Sequence, residues 1–232
     1  MQSDVIIRQT AIGSYRVNTY LLACGQTRKA VLIDPGGEPE KIIQMVRDEG
    51  VDPVYILNTH GHADHVLANK KLQAVFSVPV CMHEADDIFF SAADVREKSE
   101  KELGLPAPPP ADIRLKDGQV LEVGKLHIKV IHTPGHTPGS VCFLAAGNLF
   151  TGDTLFVGDV GRTDLTGGSL DTLINSLREK VIVLKPSSGP ATITARRRPP
   201  RWPGKWRKIS ISPILSLPNN GNFLCKQGVR RA

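Results

Sequence analysis

The sequence predicts an α/β domain in which two β-sheets pack face to face with helices outside. Three observations carry this: apolar runs with strand character fall into two sets, helical stretches lie between the sets, and one further helix follows the second set. A length of 232 residues suits one sizeable domain with an appendage.

Taken in order, residues 17–23 and 29–33 read as strands joined by a polar turn. The second strand ends in Asp34-Pro35-Gly36-Gly37, a strong turn signal. Within residues 39–49, Ile42, Ile43 and Val46 recur at helical spacing, and Gly50 is placed as the stop. Residues 54–57 form a short apolar run, a buried strand that ends at Asn58-Thr59-His60-Gly61-His62-Ala63-Asp64-His65. Residues 66–76 and 84–93 have helical character, and 103–110 is a Pro-rich surface loop. Strand-like runs return at 120–123, 126–131, 140–144 and 149–150, followed by a helix over 170–180 and a last strand over 181–184.

Net charge is +6, but its distribution matters more than its total. From Lys185 to the C-terminus there are eleven Lys and Arg and no acidic residue, which leaves 18 basic against 23 acidic residues in the body. The body is thus mildly acidic, and residues 1–184 read as the domain with 185–232 as a basic, Pro-rich tail. Aromatic interleaving in the tail is thin and no nucleic-acid module is recognisable, so no nucleic-acid partner is expected. No apolar stretch reaches the length of a membrane span, and residues 1–8 lack the pattern of a secretion signal; the cytoplasm is the expected compartment. Of the four cysteines, Cys24, Cys81 and Cys142 read as small core residues rather than disulfide partners.

Chemistry concentrates in three places. His60, His62, Asp64 and His65 fall within six residues, and two histidines one residue apart on a loop can aim both imidazoles at one ion, a geometry that suits tetrahedral zinc. Asp64 and His65 project elsewhere and can serve a second ion; the competing reading is a polar turn that tolerates histidine. Farther on, His132-Thr133-Pro134-Gly135-His136-Thr137-Pro138-Gly139-Ser140 follows a strand. His136, held between two Pro-Gly turns, is the ligand candidate, whereas His132 at the strand end reads as a supporting residue. Thr151-Gly152-Asp153 then places a carboxylate after another strand; alone it would be a turn former, so its role depends on its company.

Together, His-x-His-x-Asp-His, a lone His in Thr-Pro-Gly-His-Thr-Pro-Gly-Ser, and Thr-Gly-Asp resemble the metallo-β-lactamase-fold hydrolases. Gly161-Arg162-Thr163-Asp164 and Gly167-Gly168-Ser169 are similar to the short glyoxalase II-like, or hydroxyacylglutathione hydrolase-like, branch. The resemblance covers about residues 17–184. It implies a four-layer αββα sandwich with His60, His62 and His136 on one metal, Asp64 and His65 on the other, and Asp153 bridging both, with Asp64 also counted as the catalytic carboxylate. Asp34 resembles the structural aspartate of these sites. Zinc is the implied cofactor, with iron or manganese as alternatives, and two ions about 3.5–4 Å apart would share a hydroxide that attacks a small-molecule thioester.

One departure stands out. The family carries a further histidine ligand in a Trp-Pro-Gly-His-type loop after the last core strand, and this chain has no histidine beyond His136. Trp202-Pro203-Gly204 is followed by Lys205 and lies too late. The genetic code offers an account: Gly189-Pro190-Ala191-Thr192-Ile193-Thr194-Ala195 written as GGC CCG GCC ACG ATT ACG GCG, read from its third base, gives Pro-Gly-His-Asp-Tyr-Gly. One base lost, or two gained, between about Leu184 and Gly189 would put the whole tail out of frame, explain its acid-free composition, and leave the second metal short of a ligand. The expected activity is thioester hydrolysis, impaired in this chain. The alternatives are a persulfide dioxygenase-like iron oxidoreductase and a non-catalytic zinc-binding remnant. Arg162 is expected to pair with Asp164 rather than with a substrate carboxylate.

Overall fold

A computed structural model describes residues 5–184, together with the backbone of Thr192–Thr194 and Leu224–Cys225. The chain opens with strands β1 (Val5–Ile12), β2 (Val17–Cys24) and β3 (Lys29–Ile33), then helix α1 (Pro39–Glu49) and strand β4 (Asp52–Leu57). Helices α2 (Ala63–Val66) and α3 (Asn69–Phe76) lead to β5 (Val80–His83), α4 (Glu84–Ser91), α5 (Ala93–Leu103) and β6 (Ile113–Leu115). The second half runs β7 (Val120–Val123), β8 (Leu126–His132), β9 (Val141–Ala145) and β10 (Asn148–Phe150). It continues through the small hairpin β11 (Leu155–Phe156) and β12 (Asp159–Val160) to α6 (Leu170–Ser176) and a π-helical turn, Leu177–Val181. Strands β13 (Thr192–Thr194) and β14 (Leu224–Cys225) follow.

The first sheet has the order β1-β2-β3-β4-β5-β6, antiparallel through β3 and parallel from β3 to β6. The second, β14-β13-β10-β9-β8-β7, is an antiparallel meander to which β13 adds in parallel beside β10. The alternation within β2 shows how the layers are specified. Tyr20, Leu22 and Cys24 point between the sheets, where they meet Ile128, Val130, Phe143 and Phe150. Leu21 and Ala23 point the other way, onto Ile42 and Val46 of α1 and Leu72 of α3. A strand buried on both faces reads as a continuous apolar run, as this one does. On the far side, Ile131, Cys142 and Leu149 receive Leu173, Leu177 and Val181. The result is the αββα sandwich, with Gly50 closing α1 as expected. Cys24, Cys81 and Cys142 are buried free thiols.

The strand expected over residues 181–184 is absent; this is a correction. Leu173, Leu177 and Val181 recur every four residues, so burying them against the second sheet keeps the chain helical to Val181. Strands β1, β5 and β6 and helix α5 were not foreseen. In the tail, β13 pairs with β10 of the second sheet over three residues, and Thr192-Ile193-Thr194 has the β-branched composition that favours such pairing. Apart from β13 and β14, the tail, including Trp202-Pro203-Gly204-Lys205, lies outside the described residues, and so does the out-of-frame reading. No helix among the described residues is long and apolar enough to cross a membrane.

Candidate metal centre

The three motifs converge at one end of the two sheets. Thr59 and His60 follow β4, His62 occupies the N-cap position of α2 without a side-chain capping bond, and Asp64 and His65 lie in that short helix. His136 stands on the loop between β8 and β9, and Asp153 just after β10. All six of the expected site residues are buried, none more than 3% exposed. His60 Nε2 lies 3.2 Å from His136 Nε2, and His62 Nδ1 lies 2.9 Å from the same atom, so three nitrogens share one focus. A second triad joins His60, His65 and Asp153. Asp153 stands between the two, with Oδ1 3.3 Å from His65 Nε2 and Oδ2 3.8 Å from His136 Nε2. Asp64 Oδ2 is 3.8 Å from His65 Nε2.

Neighbouring bonds fix which nitrogen of each ring faces the cluster. His136 Nδ1 donates to the Arg162 carbonyl at 2.6 Å, leaving the Nε2 lone pair for the centre. Thr59 Oγ1 donates its proton to Asp34 Oδ2 at 2.7 Å and so accepts from His60 Nδ1 at 3.1 Å, which again turns Nε2 inward. His65 Nδ1 lies 3.0 Å from Asp34 Oδ2, which leaves its Nε2 towards Asp153 and Asp64. Asp34 thus orients two imidazoles and also accepts the Thr59 amide at 2.7 Å.

The electrostatics differ from side to side. Burial, reinforced by the surrounding imidazoles, holds His60 and His62 well below the usual histidine range, which keeps them neutral and able to donate lone pairs. Burial also pulls His65 down, but the carboxylates of Asp34, Asp153 and Asp64 outweigh it and raise the imidazole to about 10. Buried carboxylates gathered on that side favour a cation. Neutral nitrogens beside carboxylate oxygens form a donor set that fits zinc or another divalent transition metal.

Outside the cluster, His132 donates from Nε2 to the Pro138 carbonyl at 2.8 Å and stacks on His83, ring centroids 4.0 Å apart. Arg162 makes two bonds to Asp164, at 2.7 and 2.8 Å. Two contributors went unnoticed in the sequence. Thr59 relays Asp34 to His60, and Asp86 of α4 bonds both ligand loops; Asp86 sits among Glu84 and Asp87 in what reads as a solvated acidic stretch. Burial pushes Asp86 up to about 6 while its hydrogen bonds pull the other way.

The family model for the Metallo-beta-lactamase superfamily matches residues 12–191. The chain belongs to the metallo-beta-lactamase superfamily. Among relatives of this superfamily member, hydroxyacylglutathione hydrolase GloC of Haemophilus influenzae is 37% identical over 163 residues, covering 68% of this chain and 76% of that protein. The mitochondrial persulfide dioxygenase ETHE1 of Bos taurus is 32% identical over 185 residues, 78% of this chain and 65% of the bovine protein. Among solved structures, the B3 metallo-beta-lactamase BLEG-1 superposes with a TM-score of 0.73 at 33% identity, covering 82% of this chain and 90% of that one. TTHA1623 in a di-iron-bound form superposes at 0.66 with 36% identity, covering 77% and 87%. These names span three activities, so membership establishes a metallo-hydrolase fold and leaves the substrate to the site.

Proposed function

We propose that the protein is a metal-dependent hydrolase of thioesters such as S-(hydroxyacyl)glutathione. His60, His62 and His136 would hold one zinc, Asp64 and His65 the second, and Asp153 would bridge them. The observation that carries this is Asp153, whose two oxygens face His136 and His65 separately. When bound, divalent metals supply Lewis acidity for an acyl carbonyl and lower the pKa of water towards neutrality. The residues supply the rest. Asp34 and Thr59 lock the ring orientations, burial keeps His60 and His62 unprotonated, and Asp64, a buried acceptor beside His65, serves as the catalytic carboxylate that orients the attacking water. A thioester suits such a site because a thiolate leaves without strong acid assistance. Likeness to the Haemophilus hydrolase supports this substrate class.

The tail bears on activity. Histidine is absent beyond His136, so a second metal would have Asp64, His65 and Asp153 without another imidazole from the C-terminal part. The out-of-frame reading accounts for this, and sequencing the locus tests it: a shifted frame that fails to encode Pro-Gly-His removes it. The likeness to the bovine dioxygenase favours a second reading, an iron-dependent persulfide oxidation on the same three histidines and Asp153. Both are tested by assaying S-lactoylglutathione hydrolysis and glutathione persulfide oxidation side by side, on this chain and a frame-restored version, with zinc or iron. Thioester turnover with zinc, higher in the restored chain, is expected. Turnover of neither substrate by the restored chain would remove both enzyme readings.

A further inference from the structure

Helix α4 touches both ligand-bearing loops, and its hold on them runs through one carboxylate. Asp86 is fully buried. Its Oδ2 accepts the amide of Gly61, the residue between His60 and His62, at 2.8 Å. The same oxygen accepts from Thr137 Oγ1 at 2.8 Å, and Oδ1 accepts the Gly139 amide at 2.6 Å; both partners lie on the loop of His136. One side chain therefore bonds the loop that leaves the first sheet and the loop that belongs to the second. The glycines provide an independent observation. A Cβ on Gly139 would lie 2.3 Å from the Asp86 amide nitrogen, and one on Gly61 would lie 2.3 Å from the Phe90 ring. Each loop thus meets α4 at a residue where any side chain would collide, Gly139 against the Asp86 backbone and Gly61 against the Phe90 ring.

We propose that Asp86 is the positioning residue that sets the distance between the two ligand loops and thereby brings His136 within ligating reach of His60 and His62. The proposal rests on the metal-centre reading above. Chemistry favours a carboxylate here because it offers acceptors on both sides of one short side chain, and three donors converge on it. Asparagine has the same shape but one acceptor. Its NH2 must face either the Gly61 or the Gly139 amide, both donors, so one of these two amide bonds is lost while the volume stays constant.

The test uses the full chain with Asp86→Asn and Gly139→Ala. Zinc affinity is measured by competition with a chromophoric chelator, and amide hydrogen exchange at Gly61 and Gly139 is followed in zinc-free protein. The expected loss in affinity is about tenfold or more for Asp86→Asn, as for other groups that orient ligands. Exchange at one of the two glycines should quicken while the amides of β8 and β9 keep their protection. Gly139→Ala, which leaves the carboxylate in place but forces α4 away, should lower affinity similarly. Unchanged affinity in a folded Asp86→Asn protein overturns the proposal, as does a loss that tracks general loss of protection in β8 and β9. If the unaltered chain takes up no zinc, the metal reading falls, and unchanged exchange at both glycines in Asp86→Asn would then refute the clamp by itself. Should Asp86→Asn fail to fold, Thr137→Val removes a single arm and carries the same readouts.

Discussion

The two sides of the candidate metal centre are built on opposite electrostatics. On one side, His60, His62 and His136 meet nitrogen to nitrogen, and burial keeps His60 and His62 neutral. On the other, His65, which shares the second triad with His60 and Asp153, is surrounded by the carboxylates of Asp34, Asp64 and Asp153, which raise its proton affinity instead. The first side offers lone pairs with little competition from protons, whereas the second offers negative charge and a His65 nitrogen for which a proton competes. A soft, directional site and a charge-driven site therefore share one wall, and Asp153 belongs to both.

Removing that shared wall should have the largest effect. Asp153→Ala takes an oxygen from each side, and because metal assistance is worth several kcal/mol of barrier, hydrolysis should fall by roughly a thousandfold or more. Steady-state assay of the frame-restored chain checks this, and a drop of only a few fold would dissociate Asp153 from the chemistry. Single-side variants sharpen the contrast. His136→Ala should abolish zinc uptake at the nitrogen side, while His65→Ala should leave about one equivalent bound, since that side depends on charge already only partly organised. Metal analysis after gel filtration separates the two; equal loss in both would mean that the sides are not distinct. Asp34→Asn comes next in size. It weakens the hold on His65 and Thr59 without touching a nitrogen lone pair, so affinity should fall by about 10- to 100-fold, again read by chelator competition.

What the sequence disclosed follows the same division between local and distant relations. His60, His62, Asp64 and His65 were legible because ligand spacing is compressed into one loop, and His136 because two Pro-Gly turns frame it. Asp153 was legible only beside the other motifs, as a lone carboxylate after a strand has commoner uses. Asp86 left no signal, since its partners are 25, 51 and 53 residues away and its neighbours Glu84 and Asp87 resemble a solvated helix face. Among the elements, β2 was readable from an apolar run buried on both faces. β1 was not, because Arg8 and Gln9 interrupt its alternation at the exposed sheet edge. The misread residues 181–184 show the limit of composition: Val181-Ile182-Val183-Leu184 looks like a strand, yet the four-residue spacing back through Leu177 to Leu173 governs what is buried.

The smallest expected effect concerns α4 and pH, away from the metal ligands. His83 caps α4 by accepting the Ala85 amide on Nδ1 at 3.3 Å, which requires that nitrogen to be unprotonated. Burial first, then the facing His132 and, more weakly, Lys180 lower its pKa to about 4, while Glu84 and Asp117 act against them. A folded-state value below the unfolded 6.5 means that the native protein binds this proton less readily. Its contribution to stability is therefore complete above pH 6.5 and declines as pH falls towards 4. His83→Asn keeps an N-cap acceptor but cannot titrate in this range, so it removes the pH dependence while leaving a cap in place. Thermal melts of zinc-free protein at pH 7 and pH 5 should show the unaltered chain losing more than the variant. Parallel losses in the two proteins would place the acid sensitivity elsewhere than in this cap.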